Sequence, residues 1–72
     1  MKVRELLNIN NGTRWDIYKK AENQYYIKYY EFYKSCGWKL LFQDGGSKAN
    51  ALHSGTYYSK VDIEDTFGII VP

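Results

Sequence analysis

The sequence predicts an α+β fold: a short N-terminal helix, an antiparallel sheet of about four strands and a short central helix. Three observations predict it. The opening KVRELLNIN spaces Val3, Leu6 and Leu7 along one helical face. TRWDIY (13–18) and KVDIED (60–65) alternate apolar and polar residues, as half-buried strands do. Between them YYIKYYEFY (25–33) places five tyrosines and a phenylalanine in nine positions, and its two periods conflict.

The first helix is short, because NINNG (8–12) is rich in turn residues and Gly12 supplies a stop. TRWDIY then points Trp15 and Ile17 one way and Arg14, Asp16 and Tyr18 the other. KKAEN (19–23) is polar, and QYYIK returns as the partner strand of a hairpin. Read as a strand, 25–34 shows no clear inside face. Read as a helix, Tyr25, Tyr26, Tyr29, Tyr30 and Tyr33 share an arc of about 140°, with Lys28 and Glu31 opposite. The compromise is a strand to Lys28 and a helix from Tyr29 to Cys36, ended by Gly37. WKLLF (38–42) reads as a buried strand or a continuing helix. QDGGSKANALHSG (43–55) is a long polar connection with room for one helical turn at 49–53. YYSKVDIED and FGIIV close the chain as a hairpin that turns at Asp65-Thr66.

At 72 residues the chain is read as one domain, 1–72, with a small core. Its lone Cys36 excludes an intrachain disulfide. Cys36 and the single His53 make a poor start for a zinc cage, so no metal and no cofactor are expected. Stability must come from the 13 aromatic residues, each able to bury about 150–250 Å², or from association with a second copy. A lone cysteine, no apolar signal segment and no run of about 20 apolar residues point to a cytoplasmic protein with no membrane span. Net charge is +2: residues 14–39 carry an excess of three positive charges, and 40–72 a deficit of two. That balance argues against an acidic mimic of DNA and permits nucleic-acid binding.

Catalytic chemistry finds no footing. Cys36 and His53 could meet, but lone cysteines are most often small hydrophobes. DGGSK (44–48) lacks the spacing of a phosphate loop, and Asp62 and Glu64 fall on a solvated strand face. No enzyme is expected. The tyrosines carry the functional signal. Packing of a core short of aliphatics explains part of the cluster; the remainder, left exposed, forms a contact surface. Tyrosine combines large area, a polar tip and few rotors, which suits binding hot spots. The candidate partner-binding residues are therefore Tyr25, Tyr26, Lys28, Tyr29, Tyr30, Tyr33, Lys34, Trp38, Tyr57 and Tyr58. Beside lysines, such rings could instead stack on the bases of a nucleic acid.

Lys2, Glu5, Leu6 and Leu7 of the opening segment, Ile17-Tyr18, Val61 and the Ile69–Val71 end resemble small phage and prophage open reading frames of low-GC Gram-positive bacteria. Residues 34–56 have no counterpart in that resemblance. Some such proteins inhibit host defence, anti-CRISPR proteins among them. The resemblance implies a non-enzymatic accessory protein, in the cytoplasm of the host cell, that binds and occludes a host protein such as a CRISPR–Cas or other defence nuclease. The anchor would be the aromatic and basic 25–39 face, with the 43–55 loop as a conforming edge. A small nucleic-acid-binding protein and a structural homodimer are the alternatives.

Overall fold

The computed structural model describes residues 1–44 and 57–72. Four strands, β1 (Lys2–Asn8), β2 (Thr13–Ala21), β3 (Gln24–Tyr33) and β4 (Gly37–Asp44), form one antiparallel sheet in the order β1-β2-β3-β4. One helix, α1 (Lys60–Phe67), follows near the C-terminus. The fold is thus mostly sheet with one short C-terminal helix. It has neither the expected N-terminal helix nor, among the described residues, a central one.

Each correction has a local cause. KVRELLN is β1, paired with β2 from Lys2↔Tyr18 to Asn8↔Thr13. A β-bulge between Lys2 and Arg4 leaves Val3 as an extra residue. Val3 and Leu6 therefore both pack on the core, three residues apart, while Leu7 stays exposed. A bulged strand has imitated helical spacing.

YYIKYYEFY is strand throughout, because β3 is the central strand that β2 and β4 both pair with. Ladder bonds on both sides and the strand preference of tyrosine outweigh the helical arc. The turn after Tyr33 closes at Gly37, whose φ of 77° is left-handed, so this glycine joins two strands and ends no helix. WKLLF is an edge strand, not a buried one: Leu40 and Leu41 are exposed. The β2–β3 hairpin forms as the alternation requires, through a tighter Glu22–Asn23 turn, with Asn23 at φ 59°.

The C-terminal hairpin is replaced by α1 and an extended tail. Ser59 caps the helix by accepting a hydrogen bond from the Asp62 amide at 3.1 Å. Gly68, at φ 65°, ends it by donating its N–H to Glu64 O. Ile63 is buried and Val61 is exposed, so their two-residue spacing is not an inside face. Replacing Ser59 with Ala is expected to cost about 1 kcal/mol, the usual worth of a serine N-cap, measured as a shift in the urea midpoint with an unchanged slope.

One face of the sheet carries the core. Ile17, Tyr25 and Ile27 meet Ile63 of α1 and Val71 of the tail, with Val3, Leu6, Trp15, Tyr58, Phe67 and Ile69 packed around them. Trp15 lies 4.5 Å from the Tyr29 ring and 5.4 Å from Phe67, centroid to centroid. Several polar contacts hold the C-terminal segment in place. Tyr25 and Tyr58 exchange backbone hydrogen bonds, and Tyr25 Oη donates to Pro72 O. The Val71 amide donates to Glu64 Oε2, and the Lys60 amide to Asn23 Oδ1. Among the described residues, no helix lies over the opposite face of the sheet.

Candidate interaction face

The open face follows from strand alternation. Ile17 and Trp15 turn inward on β2, so Arg14, Asp16 and Tyr18 turn outward. Their partners across the ladder are Tyr30, Lys28 and Tyr26. On β4, Leu40 stands beside Tyr30 and Trp38 beside Phe32. On β1, Glu5 and Leu7 stand beside Asp16 and Arg14. A second bulge, between Lys19 and Ala21, frees Lys20 from the ladder. Its Nζ donates to Tyr57 Oη at 2.8 Å, and this hydrogen bond raises the Lys20 pKa.

At the centre of this face lies a buried charge. Asp16 is only 1% exposed although it points away from the core. Arg14 Nη2 donates to Asp16 Oδ2 at 3.2 Å. Arg14 Nε lies 3.1 Å from Asp16 Oδ1, yet the two are not aligned as a hydrogen bond. That second contact is therefore Coulombic. Lys2 Nζ adds a longer contact at 3.7 Å and also pairs with Glu5 at 2.9 Å. The guanidinium is capped by aromatic rings, 4.2 Å from the Tyr30 centroid and 5.1 Å from Trp38. The Tyr18 phenol has its pKa raised, first by burial and then by Tyr30 and Asp16 nearby.

Two regions flank this centre, and they differ in chemistry. Toward the β1–β2 turn, Leu7, Ile9, Gly12, Phe32 and Trp38 line an apolar groove of about 450 Å³. Phe32 is 51% exposed and meets Trp38 edge-on at 5.4 Å. Leu40, 41% exposed, extends the apolar surface. Toward the β2–β3 turn, Tyr18 and Tyr26 stack at 4.9 Å with planes 5° apart. Tyr57 meets Tyr26 edge-on at 6.4 Å, and Lys28 Nζ lies 4.9 Å from the Tyr18 centroid.

The ten residues singled out from sequence are divided between the two faces. Tyr26, Lys28, Tyr30, Trp38 and Tyr57 stand on or beside the open face. Tyr25 is buried in the core, and Tyr29 and Tyr58 are half-buried on the same side. Tyr33 is exposed on that side, where it and Tyr29 both donate to the Glu31 carboxylate. That carboxylate raises both phenol pKa values. Lys34 lies exposed in the β3–β4 turn. The sequence reading left out Arg14, Asp16, Tyr18, Lys20, Phe32 and Leu40. The alternation of β2 was visible, and extending the contact surface from one tyrosine run to its hairpin partner would have found the first three.

The 43–55 loop, the possible turn at 49–53, DGGSK and His53 lie wholly or largely in 45–56, outside the described residues. Cys36 is exposed in the β3–β4 turn. Among the described residues no cluster of three or more His, Cys, Asp or Glu is placed to hold a metal ion, and no helix is long and apolar enough to cross a membrane. No family model, curated protein or solved structure matches the chain.

Proposed function

We propose that this chain is a non-enzymatic phage or prophage accessory protein that binds a host protein and blocks it by occlusion, its target being a defence nuclease such as a CRISPR–Cas effector. The observation that supports the reading is the sheet face over which no helix lies among the described residues. Phe32, Leu40 and Leu7 remain exposed there beside the half-buried Trp38, around an apolar groove, while the opposite face is closed by α1 and the tail. Large apolar and aromatic side chains that neighbouring residues hold in place lose little entropy on binding, which is the make-up of a hot spot. The choice of target rests on the resemblance of the two chain ends, not on the face.

The test is inhibition of DNA cleavage by a panel of purified CRISPR–Cas effector nucleases, with complex formation followed by size exclusion. The wild-type chain is expected to co-elute with its target and stop cleavage. Phe32→Ala combined with Leu40→Ala is expected to weaken the complex by at least about 30-fold, the effect of losing one hot spot of about 2 kcal/mol. Ile70→Ala, at an exposed position in the tail, should leave it unchanged. A folded double variant that inhibits as well as wild type removes the face from the mechanism. Absence of inhibition across the panel removes the target class.

A further inference from the structure

The other end of the open face has a chemistry that an apolar protein anchor does not use. Lys19, Lys20, Tyr26, Lys28, Gln43 and Tyr57 line a groove of about 420 Å³ there, which is within the size range of small-ligand sites. We infer that this groove binds a single-stranded nucleic acid, with bases stacked against the Tyr26 and Tyr57 rings and phosphates held by Lys20 and Lys28.

Charge is the first argument. Glu5, Asp16, Lys2 and Arg14 satisfy one another in the ion pairs at the centre of the face, and Lys19 meets Glu22 at 3.4 Å. Lys20 and Lys28 have no carboxylate within ion-pair distance among the described residues. Each instead lies against a tyrosine, Lys20 at the Tyr57 hydroxyl and Lys28 over the Tyr18 ring. Two cations are thus held against aromatic rings and outside the ion pairs of the described residues. The acidic residues of α1, Asp62, Glu64 and Asp65, belong to the helix that closes the opposite face. These carboxylates therefore do not repel an anion at close range on the open side.

The rings decide which anion. An acidic peptide would use the lysines but gains nothing from Tyr18, Tyr26 and Tyr57. A nucleic-acid strand uses both, because every base has a π-face that stacks on tyrosine whatever its identity. Tyr26 is supported from beneath: its parallel contact with Tyr18 fixes the ring plane, and Tyr57 forms an edge-on wall beside it. Tyr26, Lys28 and Tyr30 follow one another on one strand face at roughly 7 Å spacing, so rings and cations alternate along β3. Gln43, opposite Lys28 in the ladder, places a donor and an acceptor at the rim. The groove is open and its lining crosses β2, β3 and β4, so it accepts a chain better than an isolated nucleotide.

The inference stands apart from the host-protein reading and is tested without a nuclease. Fluorescence anisotropy with a labelled oligothymidylate of about 12 nucleotides is measured at roughly 50 and 200 mM salt. Two phosphate contacts give a slope near −1.4 in log affinity against log salt, so affinity should fall about sevenfold over that range. Lys20→Gln and Lys28→Gln should each halve the slope, leaving a fall of about 2.6-fold. Tyr26→Ala should weaken binding by at least about fivefold with the slope unchanged, because stacking releases no counterions. Tyr57→Ala, outside the ladder of the four strands, provides the same readout should Tyr26→Ala unfold the sheet. No binding at the lower salt overturns the proposal, as does an unchanged slope in both lysine variants. Equal competition by polyglutamate would make the site a general anion trap, and equal affinity for thymidine monophosphate would make it a mononucleotide site; either result overturns it too.

Discussion

Ile17→Ala is expected to lower the free energy of unfolding by about 3–4 kcal/mol. Ile17 is fully buried at the middle of β2, with Ile27 beside it in the ladder. Ile63 of α1 and Val71 of the tail belong to the same cluster. Among the described residues five buried apolar residues make up that cluster, within a single ring of half-buried ones, so little can collapse into the space left by the missing methyl and methylene groups. A chain of this size has a total stability of roughly 4–11 kcal/mol, and the variant would lose about a quarter of it or more. Urea denaturation followed by tyrosine and tryptophan fluorescence measures the change. Ile17→Val, which removes one methylene, should cost about 1 kcal/mol on the same scale. A loss below 1 kcal/mol for the alanine variant would mean that α1 and the tail do not close over β2.

Arg14→Ala is expected to cost about 3 kcal/mol, by a different route. Asp16 is almost fully buried, and Arg14 is 18% exposed. Truncating the arginine leaves a carboxylate out of water whose one remaining ion pair among the described residues is Lys2, at 3.7 Å and shared with Glu5. The same change removes the cation beneath Tyr30 and Trp38, so the rings at the centre of the open face lose their support. Asp16→Ala should be costly for the mirror reason. The double variant should lose clearly less than the sum of the two single losses, since neither charge is then stranded. Arg14→Lys should fall between wild type and Arg14→Ala, because an ammonium keeps the charge but not the planar guanidinium held near both rings. Additive losses in the double-mutant cycle would show that the pair is not coupled and that Asp16 is held by other groups.

Much of the β2–β3 hairpin was legible because its signal is local. Trp15 and Ile17 alternate with Arg14, Asp16 and Tyr18, and Asn23 marks the turn. The errors arise where one residue more or less changes the apparent period. Val3 is a bulge residue, and with it the inward positions of β1 take on helical spacing. At the other end, the Val61/Ile63 alternation concealed a helix that Ser59, Asp62 and Gly68 mark plainly as its start and stop. β3 defeated both periods because aromatic residues line both of its faces, one packing the core and one left open. That choice is made by what lies above and below the strand, and no window of sequence contains it. The candidate site was therefore half legible: the tyrosine run was found, but the buried Asp16 and its Arg14 partner depend on neighbours across three strands.

The order β1-β2-β3-β4 means that every neighbour in the sheet is also a neighbour in the chain. Each hairpin can zip from its own turn, with little loop entropy to overcome. Among the described residues, the contacts most distant in sequence are made by the C-terminal segment: the Tyr25–Tyr58 bridge, the Tyr25 contact with Pro72, and Ile63 and Val71 in the core. The open face is thus drawn wholly from the quickly assembled part of the molecule, apart from Tyr57. The open face takes shape with the meander, and the docking of α1 and the tail supplies the stability that keeps it.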